Sequence, residues 1–173
     1  MARLVFAAAL GAAFLCSTPA FALDLTTLGN PLGGDWRAVS AAPDLVRFSC
    51  GSVSCPPKAE LTIAIRPVPD EARDGVIADP EGTVAGYEKG FKNNPANKAC
   101  EYTDFKGVKA GDEAGRFEMT GECPSGLMLQ MATMFDKRQP GFISIVSSSM
   151  DAPRANGVRA QAVEAITTAL AAK

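Results

Sequence analysis

Cysteines are the residues of this 173-residue chain whose type and spacing bear most directly on chemistry. There are five of them, and Cys16 lies in an apolar N-terminal stretch. The other four, Cys50, Cys55, Cys100 and Cys123, are the candidate functional thiols. Thiols at such spacings can form structural disulfides, a redox-active dithiol or part of a zinc site.

Structural disulfides are the interpretation that the surrounding sequence favours. A redox dithiol is usually a Cys-x-x-Cys motif at a helix start, whereas the closest pair here, Cys50 and Cys55, has four residues between its members. The chain has no histidine, which weakens the case for zinc. An even number of cysteines outside the N-terminal stretch is typical of an exported protein with two disulfides.

The pairing of the four cysteines has three possible solutions, and counting alone does not choose among them. Folding residues 99–123 around a turn at 110–113 places the first cysteine of that segment opposite the last. Cys50 and Cys55 lie in a short loop, GSVSCPP, between two strand-like stretches. We therefore favour the pairs 50–55 and 100–123.

The register predicted for this hairpin conflicts at one position with the usual separation of apolar and charged side chains on the two faces of a sheet. The register that aligns the cysteines also places Phe105 opposite Glu118, so that one sheet face would mix an aromatic and a charged side chain. Either a β-bulge near Gly107 or a different pairing would remove the conflict.

A second candidate site is the segment 70–81, DEARDGVIADPE, which matches an EF-hand calcium loop at five positions. Its potential oxygen ligands are Asp70, Asp74 and Glu81. Ala72 stands where the third loop position should supply an oxygen, and a strand-like stretch precedes the segment where an EF-hand has a helix. The closing Asp-Pro-Glu is also typical of a helix start. Because five positions still match, a hard-cation (calcium-like) site at this segment is the alternative hypothesis to a binding module.

Methionines form the third candidate, because Met128, Met131 and Met134 recur at every third position and thioethers are soft ligands for Cu(I). In a strand, however, Met131 points away from the other two. Core packing is the simpler interpretation. The predicted core face of this strand consists of Leu127, Leu129, Met131, Thr133 and Phe135.

Catalytic machinery is not indicated. Without histidine, activation of serine or cysteine by a histidine base is excluded. Glu118 and Glu122 are better explained as a solvated strand edge than as an acid/base pair. Trp36 and Tyr87 are candidates for lining a ligand groove, although a tryptophan beside glycines more often lies in a core. We predict no enzymatic activity and no cofactor.

Secondary-structure patterns predict a mixed chain. DLVRFSC and KAELTIAIRP are strand-like, and residues 66–83, rich in Pro, Asp and Gly, are expected to form a loop. A helix is predicted from an Asp79 cap to about Asn94, with Val84, Tyr87 and Phe91 on one face. A last helix begins near Asp151. The other predicted strands lie at 99–108, 114–121, 127–135 and 141–149.

This order of elements predicts an α+β fold in which two main helices pack on an antiparallel sheet, an α/β sandwich stapled by disulfides. The order resembles the PsbP-like family of exported or lumenal modules, with GDWRAV near the start, GYEKGFKN as the first helix and RAQAVEAITTAL as the last. The resemblance implies a non-enzymatic accessory or binding role. It assigns no functional residue.

Residues 1–22 have the layout of a secretory signal peptide: Arg3, an apolar run and an Ala-Phe-Ala ending. We predict cleavage after Ala22 and a single α+β domain over residues 23–173. The apolar run is shorter than the ~20 residues that span a bilayer, which argues against a membrane anchor. No other stretch of the sequence approaches that length, so no membrane span is expected in the mature chain.

Net charge and composition limit the classes of binding partner that this chain is expected to have. The full chain has a net charge of −2, and loss of Arg3 would make it −3. This mild acidity, one Trp and two Tyr argue against nucleic-acid binding. We expect a periplasmic or secreted module whose partner is an envelope protein or a small ligand.

Overall fold

Seven antiparallel strands form one sheet, which a computed structural model describes together with three α-helices over residues 23–172. The predicted signal peptide lies outside the described residues. The strands are β1 (Trp36–Ala42), β2 (Leu45–Cys50), β3 (Glu60–Arg66), β4 (Glu101–Lys109), β5 (Ala114–Glu122), β6 (Met128–Asp136) and β7 (Phe142–Ser149). The helices are α1 (Asp70–Ala78), α2 (Pro80–Asn93) and α3 (Ala152–Ala171).

The strand order is β1-β2-β3-β7-β6-β5-β4, so two meanders meet where β3 pairs with β7. The connection from β3 to β4 must therefore cross one face of the sheet to reach the far edge, and it contains α1 and α2. Helix α3 packs on β6 and β7 from the other face. The predicted α+β fold with an antiparallel sheet and two disulfides is confirmed.

Each face of the sheet has its own hydrophobic core. The larger core lies under α3, where Val158, Ala162 and Ile166 are buried against strand residues such as Ile63 and Ile145. The smaller one lies under α1 and is formed by Ile77, Phe117 and Phe135. The two cores together explain why residues on both faces of β6 are buried towards its C-terminal end.

The predicted loop at 66–83 is wrong, because this segment contains α1. Asp70 lies in the first helical turn, and its carboxylate accepts a hydrogen bond from Arg73 Nη1, three residues later, at 2.9 Å. At the other end, Lys109 Nζ donates a hydrogen bond to the Ile77 carbonyl at 2.6 Å. Burial of Ile77, 1% exposed, adds tertiary packing that local propensity does not contain.

Strand β1 was not predicted either. It is an edge strand, and five of its seven side chains are exposed, so its sequence lacks the alternation of a half-buried strand. A register shift between Ala38 and Ser40 further breaks the pattern. Trp36, at its first position, is buried in the larger core at 6% exposure.

Two disulfides join Cys50 to Cys55 and Cys100 to Cys123, as favoured from the sequence, with Cα–Cα distances of 5.8 and 4.1 Å. Disulfides of this kind are typical of proteins in an oxidising, extracellular environment. None of the helices in residues 23–172 combines the length and the apolar composition that a membrane-spanning helix needs.

The register conflict in the β4–β5 hairpin is resolved by a bulge. Lys106, rather than Phe105, lies opposite Glu118, because the register shifts between residues 103 and 106. Asp104 in this bulge has a φ of 56°. The bulge therefore lies slightly before Gly107, and Phe105 is released to contact α2.

Candidate functional site

A groove of about 750 Å³ lies on the sheet face that carries α1 and α2. These two helices pack mainly on β4, β5 and β6, and among the described residues no helix packs closely on the neighbouring part of the same face, on β3 and β7. Small side chains form the floor there: Thr62 and Ala64 from β3, and Ser144 from β7. Thr62 and Ser144 are half-buried, so the floor is partly open to solvent.

The alternation of side chains along the central strands explains why the floor of the groove consists of small residues. In β3, the large residues Leu61, Ile63 and Ile65 point into the larger core, and the smaller Thr62 and Ala64 alternate with them. Ala64 pairs directly with Ser144 of β7. Two small side chains therefore lie side by side at the base of the groove.

Helix α2 forms the wall, and its start is set by the predicted cap. The Asp79 carboxylate accepts a hydrogen bond from the Gly82 backbone N–H at 2.8 Å, and Pro80 occupies the first helical position. Tyr87 and Phe91 lie one turn apart on the side of the helix that faces the groove. The capped start thus sets which side chains of α2 line the groove.

Tyr87 is held in place from two sides. Its ring stacks on Phe117 with centroids 4.4 Å apart, and its hydroxyl lies 2.9 Å from Thr133 Oγ1. Burial raises the pKa of the Tyr87 hydroxyl, an effect that the hydrogen bond to Thr133 only partly offsets. The side chain is therefore neutral at physiological pH and presents an apolar ring to the groove.

Phe91 anchors the far end of α2. Its ring meets Tyr102 and Phe105 of β4 in edge-to-face contacts, with centroids 4.9 and 5.9 Å apart. Next to it, Gly90 lines the groove, and a Cβ built there would have no neighbouring heavy atom within 4 Å. The absence of a side chain at Gly90 thus leaves the wall open.

Arg66, at the end of β3, supplies the positive charge of the groove; among the described residues that line it, no other is charged. Its Nη1 donates to the Ile65 carbonyl at 3.1 Å and lies 3.6 Å from Asp44 Oδ2. About half of the Arg66 side chain is exposed, 49%, as is that of Asp44. The guanidinium is therefore accessible at the rim.

Of the two aromatic residues that the sequence offered for a groove, only Tyr87 lines this one. Trp36 lies in the larger core, on the opposite face of the sheet, as a tryptophan beside glycines often does. The indole therefore contributes to stability, and the phenol to the candidate site.

The predicted cation ligands do not converge. Asp70 and Asp74 both pair with Arg73, at 2.9 and 3.0 Å, and Glu81 lies in the first turn of α2. Among residues 23–172, no cluster of three or more carboxylate or thiol side chains is arranged to hold a metal ion. Calcium binding by segment 70–81 stays a prediction, which calorimetry with Ca²⁺ on the purified protein will test.

The methionines of β6 divide between the faces, as strand alternation requires. Met131 lines the groove, and Met134 lies in the larger core under α3. On the predicted core face of β6, Thr133 and Phe135 are buried and Met131 is half-buried. That face is therefore core at one end and groove at the other.

Glu118 is part of an ion-pair network on the α3 side of the sheet. Arg116 Nε donates to it at 2.6 Å, and Arg159 of α3 approaches its other oxygen at 2.9 Å. Burial alone would raise the pKa of Glu118, but the hydrogen bond from Arg116 and the charge of Arg159 outweigh it and lower the pKa. Glu118 is thus a structural anion, and Glu122 is an exposed residue at the end of β5.

Sequence reasoning missed Arg66, Gly90 and the small floor residues. A signal for the floor was present: in ELTIAIR and in FISIVSSS, large apolar residues alternate with small or polar ones. Such alternation indicates that one face of the sheet packs in a hydrophobic core and that the other face is less covered. Arg66 had no comparable signal, because its role depends on which strand lies beside β3.

Comparison with known proteins adds no relative: no protein-family model, no curated protein and no solved structure matches this chain. The resemblance to PsbP-like modules stays a prediction from the order of elements.

Proposed function

We propose that this chain is an exported, non-enzymatic binding module of the cell envelope that holds a small ligand in the groove between α2 and the open part of the sheet. The observation that carries the proposal is the groove: about 750 Å³ in volume, with an aromatic wall and a floor of small side chains. Ligand sites commonly have volumes of about 300–1,000 Å³ and combine apolar walls with a few polar groups.

The lining supports binding rather than catalysis. Apolar contact is provided by four side chains of the lining: Tyr87, Phe91, Met131 and Phe142. Hydroxyl groups such as that of Ser144 can form hydrogen bonds with a ligand. A histidine base is excluded by composition. A ligand with an apolar body can therefore be bound and oriented there, and the described lining residues include no Asp, Glu or Lys that could act as a base toward a nucleophile.

Export is supported by the disulfides and by the signal-like residues 1–22. Mass spectrometry of the non-reduced protein from an expressing cell should show a mature start at Leu23 and no thiol that an alkylating reagent can modify. Retention of residues 1–22, or two alkylated cysteines, would contradict export into an oxidising compartment.

Ligand binding is testable with N-phenyl-1-naphthylamine, a neutral dye whose fluorescence rises in an apolar site. We expect saturable binding to the mature protein. The variant Gly90→Leu should bind at least tenfold more weakly, because its side chain enters the groove. Gly86→Leu is the matched control, since Gly86 is on the same helix, has no heavy atom within 4 Å of a built Cβ, and does not line the groove.

The two leucine variants also control for folding. Both replace a helical glycine in open space, so both should keep or raise the melting temperature. Equal dye binding by Gly90→Leu, Gly86→Leu and the unmodified protein would show that the dye binds elsewhere, and the proposal would then be abandoned.

A further inference from the structure

We infer that the ligand of this groove is a carboxylic acid with an apolar body, whose carboxylate pairs with Arg66 at the rim. The inference rests on the proposed function and assigns the chemical class of the ligand. It follows from the distribution of charge and of apolar surface along the groove.

Charge complementarity selects the head group. The described lining residues include one cation, Arg66, and no Asp or Glu. A cationic ligand would be repelled by Arg66, and a neutral ligand could accept hydrogen bonds from the guanidinium without bringing it an opposite charge. The planar guanidinium of arginine matches a carboxylate with two parallel hydrogen bonds.

Asp44 does not remove this preference. Its Oδ2 is 3.6 Å from Arg66 Nη1, and both side chains are about half exposed. Exposed ion pairs of this kind contribute only about 0–1 kcal/mol, so a ligand can compete with the contact. Both contacts of Arg66 with described residues use Nη1, so the guanidinium can offer other N–H groups to a ligand.

Apolar surface selects the body. Val68 and Phe142 line the groove along with Arg66, and Phe142 is the cross-strand partner of Arg66 in the β3–β7 ladder. Tyr87 and Phe91 continue the apolar surface along α2. A ligand whose carboxylate meets Arg66 therefore has an aromatic and aliphatic surface beside it for its carbon chain or ring.

The test displaces N-phenyl-1-naphthylamine with decanoate, with decan-1-ol and with decyltrimethylammonium, each below its micelle concentration. These probes share one chain and differ in head charge. The measured quantity is the ratio of decanoate affinity to decanol affinity, because intrinsic differences in solvation cancel when this ratio is compared between variants. Decyltrimethylammonium should be the weakest competitor.

Arg66→Gln should lower the ratio about three- to tenfold, the range for a partly exposed charge-assisted contact. Arg47→Gln is the control: Arg47 is 47% exposed and pairs with Glu60, but does not line the groove. It should leave the ratio unchanged. Higher salt should reduce the ratio in the unmodified protein.

The outcomes separate this inference from the proposed function. Saturable dye binding with the same ratio in Arg66→Gln would overturn the carboxylate assignment and leave the binding function intact. An equal fall in both arginine variants would show a general field effect and also overturn it. No saturable dye binding would overturn both proposals.

Discussion

The Cys100–Cys123 disulfide should contribute more to stability than the Cys50–Cys55 disulfide. The perturbation replaces both members of one pair with serine, so that no free thiol can exchange. The bridges span sequence separations of 23 and 5 residues. The loop-entropy model makes these closures worth about 3.4 and about 2.1 kcal/mol.

The position of each bridge supports the same order. Cys123 follows β5 and Cys100 precedes β4, so this bridge joins the edge strand β4 to the neighbouring strand β5. Strand β4 in turn supports α2 through the contact between Phe91 and Tyr102. Loss of the bridge should therefore loosen the edge of the sheet and the wall of the groove together.

Thermal unfolding followed by far-UV circular dichroism provides the assay. For a chain of this size, each kcal/mol shifts the melting temperature by about 2–4 °C. We expect a fall of about 7–14 °C without the 100–123 bridge and about 4–8 °C without the 50–55 bridge. If the 50–55 variant were the less stable, loop entropy would not dominate, and the hairpin that carries Trp36 would be the more important unit.

Two further predictions concern single positions. Gly107→Ala should lower the free energy of unfolding, measured in urea, by about 2–3 kcal/mol, because a Cβ there would overlap the backbone of Pro80. The control Gly86→Ala should raise the free energy of unfolding by about 0.5–1 kcal/mol. Equal values for the two variants would contradict the close approach of α2 to β4. Glu118→Gln should lower the melting temperature at pH 7 by leaving Arg159 without its anion. Because the folded protein holds the pKa of Glu118 below its ordinary value, this contribution is fully present above that ordinary value and is lost as pH falls through the folded pKa. The gap in melting temperature between variant and unmodified protein should therefore close as pH is lowered below the ordinary range of a glutamate, and a constant gap would refute the role of Glu118.

Features encoded by short segments were predictable from the sequence. The Asp79-Pro80 pair marks the start of α2 because capping and a proline at the first helical position act within one turn. The 100–123 pairing follows from the symmetry of one hairpin about its turn. Even the register conflict was informative, since a bulge was one of its two possible solutions and the structure contains one.

Features that depend on distant residues were not predictable in the same way. Helix α1 is stabilised by the burial of Ile77 against Phe117 and Phe135, which lie about forty to sixty positions later in the chain. Strand β1 exists because β2 offers it a pairing edge, not because its own sequence alternates. In both segments, tertiary contacts override weak local preferences.

The groove itself depends on a choice of topology. If β4 had followed β3 directly in the sheet, α1 and α2 would not have had to cross to the far edge, and they could have covered β3 and β7. Because β3 pairs with β7 and β4 lies at the opposite edge, the two helices pack over β4, β5 and β6 instead. The small residues Thr62 and Ser144 of the floor then remain partly exposed. The same connection places Arg66, the last residue of β3, at the rim, so the open floor and its charge have one topological cause.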